Sequence, residues 1–290
     1  ASARFNLFKN GKIDLVTLAG PAELARAQAD KLRIQSFTPG EVTFIRYNHR
    51  AGRPTANMHL RKAITAAVDT RELAQKVIAI PGTKPGRGLV PESIQGAKKS
   101  FRKEYPLPEL KLDPALAKKE LELAKKELGA PIPPLVILAS DAARQGREAE
   151  YLQAQLKKHL GLESRIERQI FKIVLAKQFA GEFDLTLSSW FGDFQDPLAY
   201  LTILYSSDKN NRGKWRCDVF DRLIEQAQTT TETKKRMDAM ARAEKLAIEE
   251  AAVLPKSESV EVYVQNPMIQ GLIRRGMGPD PDFVYASVAR

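Results

Sequence analysis

Between Leu135 and Trp190 the chain alternates five segments of two kinds. Leu135 to Leu138 is a short apolar run, and Ala143 to Leu160 is an amphipathic stretch closed by Gly161. Ser164 to Gln169 alternates like a strand, Phe171 to Phe179 reads as a short helix, and Phe183 to Trp190 reads as another strand. Strands separated by helices cannot be joined as tight hairpins, so the connections must cross over a sheet. The pattern predicts α/β architecture with helices laid on a mostly parallel sheet.

The flanking segments continue the alternation. Asn10-Gly11 marks a turn before an apolar run, Ile13 to Leu18, and Pro21 to Leu32 reads as a helix with proline in its first turn. Val42 to Tyr47 carries β-branched and aromatic residues and reads as a strand. From His59 to Ile80, Leu60, Ile64, Ala67, Val68, Leu73 and Val77 form one stripe, which predicts a single long helix stopped by Pro81-Gly82. Lys84 to Leu110 is rich in proline and glycine and lacks a period, but Leu89, Val90 and Ile94 give it something to bury. Asp113-Pro114 then opens a helix through Leu128, with Gly129 ending it. Helices follow at Asp218 to Thr229 and Thr233 to Glu250, and late strands at Val253 to Pro255 and Val260 to Val264.

Composition narrows the function classes. A hydrophobic content of 43% over 290 residues suffices for a core, and no run of about 18 apolar residues marks a membrane span. The formal charge of +11 favours acidic partners at long range, but the basic residues are spread over helical surfaces beside glutamate. They read as a solvated surface, with no nucleic-acid partner expected, because no aromatic-interleaved basic patch accompanies them. The single cysteine, Cys217, cannot form an internal disulfide or a cysteine-based zinc cluster, and three scattered histidines give poor material for a metal site. Phosphate-loop, dinucleotide and nucleophile-elbow motifs are absent from the sequence. Neither a cofactor, nor a metal, nor an enzymatic activity is expected.

The segment Leu187-Ser188-Ser189-Trp190-Phe191-Gly192-Asp193-Phe194-Gln195-Asp196-Pro197 is the most informative. A strand delivers aromatics and two carboxylates to a loop at its carboxyl end, where ligands sit in open α/β sheets. Trp190 and Phe191 offer flat apolar walls, although Trp190 fits a core position as well. A carboxylate in a partly desolvated site selects a cation such as an amine. Asp196 reads as the cap of a helix begun by Pro197. Asp193 fits a solvated loop carboxylate and a ligand contact equally.

Several stretches, in order, resemble the oligopeptide- and dipeptide-binding family of extracytoplasmic solute-binding proteins of ABC importers. Leu7 to Asp14 resembles that family's helix-Gly-Glu-Ile-Asp turn. Tyr47-Asn48, Leu60 to Ile64 and Ala67 to Arg71 resemble its asparagine strand and the helix after it. Trp190 to Pro197 resembles its Trp-x-x-Asp-x-x-Asp-Pro loop, and Phe220 to Ile224 its Phe-Asp-x-Leu-Ile helix. Ala243-Glu244-Lys245 and Val253-Leu254-Pro255 resemble its Lys-Ala-Glu helix and proline-ended strand.

The resemblance implies a periplasmic-binding-protein-like (type II) lobe, a mixed sheet flanked by helices, lacking the N-terminal portion of a two-lobe fold. It implies a hinge-proximal segment at 1–48, a main ligand-binding lobe at 49–265 and a C-terminal segment, 266–290, returning toward the other lobe. It assigns the ligand's α-amine to Asp193, backbone pairing to Ser189 and Phe191, and apolar lining to Trp190 and Phe171. The strand Leu185 to Ser189 carries no base for a ligand carboxylate; Lys172 and Lys177 are candidate substitutes, and they read first as exposed helix lysines. The expected partners are a peptide or similar amine-bearing solute, the importer's membrane subunits and a second chain supplying the missing lobe. The expected location is periplasmic, or extracytoplasmic and membrane-anchored. A diverged lobe held by a partner as a structural subunit is the alternative.

Overall fold

The computed structural model describes residues 2–129, 131–276 and 280–289; Ala1, Ala130, Met277 to Pro279 and Arg290 lie outside the described residues. The chain begins with α1 (Ser2–Lys9), β1 (Leu15–Thr17), α2 (Pro21–Ala29), β2 (Ile34–Phe37) and β3 (Val42–Tyr47). A 3-10 turn leads to α3 (Met58–Ala67), α4 (Thr70–Glu72) and a π-helical segment, Leu73–Ile78. Then come β4 (Lys84–Pro85), α5 (Phe101–Glu104) and α6 (Pro114–Leu128). The alternating unit follows as β5 (Leu135–Ser140), α7 (Ala143–Leu160), β6 (Ser164–Gln169), α8 (Phe171–Ala180) and β7 (Leu185–Trp190). The chain closes with α9 (Leu198–Leu201), α10 (Asp218–Thr229), α11 (Thr233–Glu249), β8 (Val253–Glu258), β9 (Glu261–Gln265), β10 (Ile269–Gln270) and β11 (Ser287–Val288).

The expected crossover unit forms. The larger sheet runs β4-β8-β3-β7-β5-β6, with β5 parallel to both β6 and β7. The β7–β3, β3–β8 and β8–β4 pairs are antiparallel, so the sheet is mixed. β3 is central and buried along its whole length, and its alternate residues feed two cores. Val42 and Phe44 face a core built with α9, α10, α11 and the Leu89–Phe101 excursion. Ile45 and Tyr47 face one built with α3, α6 and α7. A second, antiparallel sheet, β1-β9-β2, packs with Phe5, Ala27, Leu73 and Ile78 as a separate core. The chain passes between the two sheets at 38–41 and at 259–260, where the Ser259 N–H donates to the Glu41 carbonyl at 3.0 Å.

Helix boundaries follow their local signals. The Asp113 side chain accepts from the Leu116 N–H at 2.9 Å, and Gly129 ends α6 in the left-handed region at φ 64°. The expectation of one helix from His59 to Ile80 needs correction. Val68 is extended (φ −104°, ψ 120°), and the Asp69 side chain accepts from the Glu72 N–H at 2.9 Å to begin a new helical turn. The break has a packing reason: Leu60, Ile64 and Ala67 belong to the larger sheet's core, whereas Leu73 and Ile78 belong to the smaller sheet's core. One straight helix could not turn its single stripe toward both.

The irregular excursion is ordered, with Leu89, Val90 and Ile94 buried. Glu244 on α11 holds it, accepting from the Leu89 and Val90 N–H groups at 2.8 and 2.9 Å and from Arg102 Nη2 at 2.6 Å. Gly88 permits this approach, because a Cβ there would lie 2.2 Å from Glu244 Oε1.

Candidate functional site

One edge of the larger sheet collects the candidate residues. β5, β6, β7 and β8 end there and β3 begins there, since Val42 pairs with both Trp190 and Glu258. The helices α7 and α8 start from the same edge. Ligands favour such an edge because backbone groups and helix N-termini converge where the strands stop.

β7 is asymmetric along its two sides. Toward β3 it pairs continuously from Leu185 to Trp190. Toward β5 it pairs only at Leu185 with Ile137 and at Thr186 with Leu138. From Leu187 onward, that side has no ladder partner among the described residues. An unpaired strand edge presents N–H and C=O groups to any extended segment that reaches it.

The loop after β7 separates its two carboxylates. The Asp196 carboxylate accepts from the Leu198 N–H at 2.9 Å and from Arg236 Nη2 at 3.0 Å, and it forms an ion pair with that guanidinium. It is a capping and anchoring group, as its position before Pro197 predicts. Asp193 is exposed, and among the described residues nothing occupies it in the way that Arg236 occupies Asp196. Gly192 lies against the Tyr200 ring, whose hydroxyl donates to the Gly40 carbonyl at 2.9 Å.

The aromatic candidates divide similarly. Trp190 is half-buried, packs on the first core and donates its indole N–H to the Ala199 carbonyl at 2.7 Å. It therefore serves the fold while edging the site. Phe191 and Phe171 are 49% and 63% exposed, and Phe194, which sequence reasoning did not single out, is 52% exposed. Ser189 is exposed on the open stretch of β7. The fold brings Ser189, Trp190, Phe191 and Asp193 together as one contiguous edge. Phe171 stands on the same edge but follows β6, two strand spacings or about 10 Å from β7.

Sequence reasoning missed a pocket of about 330 Å³ where the two sheets meet, bordered by Thr43, Ser188, Ser189, Lys256, Ser259 and the first turn of α7. Beneath it, Glu148 receives Arg144 Nε at 2.9 Å and pairs with Lys256. Burial opposes ionisation of Glu148, but Lys256 and Arg144 outweigh it and hold its carboxyl below the usual range. The Arg144–Glu148 pair is a helical i,i+4 spacing and was visible in sequence. Lys256 comes from β8 and had no such signal. Among the described residues there is no cluster of metal-ligating side chains and no helix long and apolar enough to cross a membrane.

Residues 1–212 match the family described as bacterial extracellular solute-binding proteins, family 5. The dipeptide-binding protein DppE of Bacillus subtilis is 29% identical over 276 residues, which cover 94% of this chain and 50% of that protein. The substrate-binding domain of an oligopeptide ABC transporter from Bacillus anthracis superposes with a TM-score of 0.91 at 27% identity, covering 100% of this chain and 57% of that one. Listeria monocytogenes OppA bound to peptide gives a TM-score of 0.88 at 26% identity, covering 100% and 56%. The chain thus spans about half the length of these relatives. With the mixed sheet, the order of the motifs and a family match over most of its length, this chain belongs to the family 5 bacterial extracellular solute-binding proteins.

Proposed function

We propose that this chain is a ligand-holding lobe of an importer's solute-binding protein, acting by binding and not by catalysis. It takes peptides or similar amine-bearing solutes. The observation that carries this reading is the open side of β7 from Leu187 to Trp190, beside an exposed Asp193. An extended peptide adds to that edge through main-chain groups of Ser189 and Phe191, and its α-amine meets the Asp193 carboxylate. Backbone pairing gives affinity with little demand on side chains. The amine contact contributes about 1.5–3 kcal/mol in a closed cleft. Phe191, Phe171 and the edge of Trp190 supply apolar walls. Relatives named as a dipeptide-binding protein and as OppA bound to peptide support the ligand class. An extracytoplasmic location and docking to ABC membrane subunits belong to the same proposal.

A second reading, a lobe completed by a partner chain, is favoured by the C-terminal segment. Phe283, Val284, Tyr285 and Val288 are 62–76% exposed on and beside the β10–β11 hairpin. Clustered apolar exposure of this kind marks an interaction surface. Residues 266–290 would then return toward the other lobe.

Calorimetry with a mixed short-peptide library on wild type and Asp193→Ala tests the first reading. Binding by wild type that collapses in the variant is expected; binding unaffected by the substitution removes the assigned site. Size-exclusion chromatography with native mass spectrometry tests the second, which a strictly monomeric, peptide-binding chain would eliminate.

A further inference from the structure

We infer that the outward face of α8, with the arginines gathered at its C-terminal end, docks on an anionic phospholipid bilayer. The inference goes beyond the peptide-binding reading and does not rest on it.

Helix α8 turns few residues inward. Val174 and Gln178 are its buried residues, and the core it serves is Val174 with Leu138 and Phe183. Phe171, Lys172, Ile173, Ala176, Phe179 and Ala180 are exposed. At about 3.6 residues per turn these six cover the side turned away from Val174. A helix laid on a sheet ordinarily shows charged residues to water. Helix α6 does so with Lys118, Lys119, Glu122, Lys125 and Lys126. On α8, Lys172 is the one charge among the six, while Phe179 is 55% and Ile173 38% exposed. Such a face marks an interaction surface.

The C-terminal end of α8 collects cations. Arg50 Nη2 donates to the Phe179 carbonyl at 3.1 Å, and Arg53 Nη2 to the Gly181 carbonyl at 2.5 Å. Arg212 stacks on Phe179 with its Cζ 4.9 Å from the ring centroid, and it donates to Gln178 Oε1 at 3.0 Å. Little negative charge answers them. The helix end supplies about half a charge, and the buried Asp184 pairs with Arg53 at 3.6 Å. Glu167 and Glu182 are both taken by Lys177. Among the described residues, neither Arg50 nor Arg212 has a carboxylate within ion-pair distance. Burial and then Arg53 hold the Arg50 guanidinium below its ordinary value, as crowded like charges should.

Charge complementarity selects the occupant. A bilayer surface with anionic headgroups takes guanidinium groups at its phosphates and large apolar side chains at the acyl boundary beneath them. Helix α8 offers both, side by side, since Arg212 lies on the ring of Phe179. The formal charge of +11 draws the whole chain toward such a surface at long range.

The position leaves the candidate ligand edge accessible. Arg50 follows the end of β3 and Arg53 pairs with Asp184 just before β7 begins. From Leu185 to Trp190 the strand then runs about 17 Å to that edge. The face is also distinct from the helices on the other side of the sheet. Leu138 of β5 packs on α8, whereas Leu135, Ile137 and Ala139 pack in the core built with α3, α6 and α7.

The test is co-sedimentation of the whole chain with vesicles of phosphatidylcholine alone and of phosphatidylcholine with about a third phosphatidylglycerol. Wild type should bind the anionic vesicles at least about tenfold more tightly, and high salt should weaken that binding. Ala176→Glu adds one opposing charge to the exposed face while keeping the alanine Cβ, and should weaken it about fivefold. Arg50→Gln should match that loss; because Arg50 also caps α8, Ala176→Glu decides the matter if Arg50→Gln misfolds. Phe179→Ala should weaken binding as well. Ala115→Glu makes the same charge change on α6, across the sheet, and should leave binding unchanged. Absent binding, equal binding to both vesicle types, or equal losses in Ala176→Glu and Ala115→Glu overturns the inference. So does binding that Ala176→Glu and Phe179→Ala both retain. A wild-type dimer that Phe179→Ala dissociates, with no vesicle binding, overturns it in favour of a second copy of this chain on the same face.

Discussion

The ring of Tyr200 occupies the space that any side chain at Gly192 would need: an added Cβ would lie 2.6 Å from Cε2 and 2.8 Å from Cζ. Tyr200 is fully buried, and its hydroxyl is tied to the Gly40 carbonyl, so the ring cannot retreat. The tyrosine thereby sets how the loop carrying Asp193 leaves β7. Gly192→Ala should destabilise the protein by about 1–3 kcal/mol, the cost of overpacking a filled site. It should also displace Asp193 and weaken the proposed peptide binding. Thermal melting and calorimetry check both effects; an unchanged melting temperature with unchanged affinity refutes the steric argument.

The two carboxylates of this loop should separate experimentally. Asp196 caps Leu198 and grips Arg236, so Asp196→Ala should cost about 1–2 kcal/mol of stability. Asp193 is exposed, and Asp193→Ala should change stability by less than about 0.5 kcal/mol while removing the proposed amine contact. Denaturant unfolding of both variants checks the contrast, and equal losses would contradict it.

Glu244 anchors the proline-rich excursion from inside the core. It is 1% exposed and satisfies two backbone N–H groups and Arg102, itself 7% exposed. Glu244→Ala leaves the Leu89 and Val90 N–H groups unpaired and the buried Arg102 without its counter-ion, and should cost about 3–5 kcal/mol. Its exposed neighbour offers a control: Lys245→Ala should stay within about 0.5 kcal/mol. Urea titrations compare the two, and a mild Glu244 phenotype would count against the anchor.

His49 should make the fold acid-sensitive. Burial and then the nearby Arg61 push its imidazole from 6.5 down to about 3, while its ring Nε2 contacts the Ala252 carbonyl at 2.9 Å. The folded state resists a proton that the unfolded chain accepts below about 6.5. Its stabilising contribution is therefore complete above that pH and is lost as the pH falls from 6.5 toward 3. Between pH 6 and 4 this one group should cost at most about 1.4 kcal/mol per pH unit. Denaturant unfolding from pH 7 to 4 should show a shallower slope for His49→Gln than for wild type; parallel slopes would remove His49 as the cause.

Legibility in the sequence followed the range of the interaction. Asp113 and Gly129 mark α6 because each acts within a turn of its own position. The helix expected from His59 to Ile80 failed where two cores competed for one stripe, although Asp69-Thr-Arg-Glu72 already had the spacing of a capping box. The Trp190-to-Asp193 edge was legible because its residues are contiguous. The pocket was not, because Thr43, Arg144, Ser188 and Lys256 are neighbours only after the sheets have formed.

By itself, the sequence determined the alternation of strands and helices, most helix ends and the loop that would carry the site. Those features depend on period, caps and turn residues, whose physics is local. Tertiary structure alone decided which carboxylate is free and which is bound, since Arg236 reaches Asp196 across 40 residues of chain. It also decided that, among the described residues, one side of β7 is open from Leu187 onward, because β5 pairs with β7 only as far as Thr186, and strand pairing is a long-range relation that no local pattern encodes.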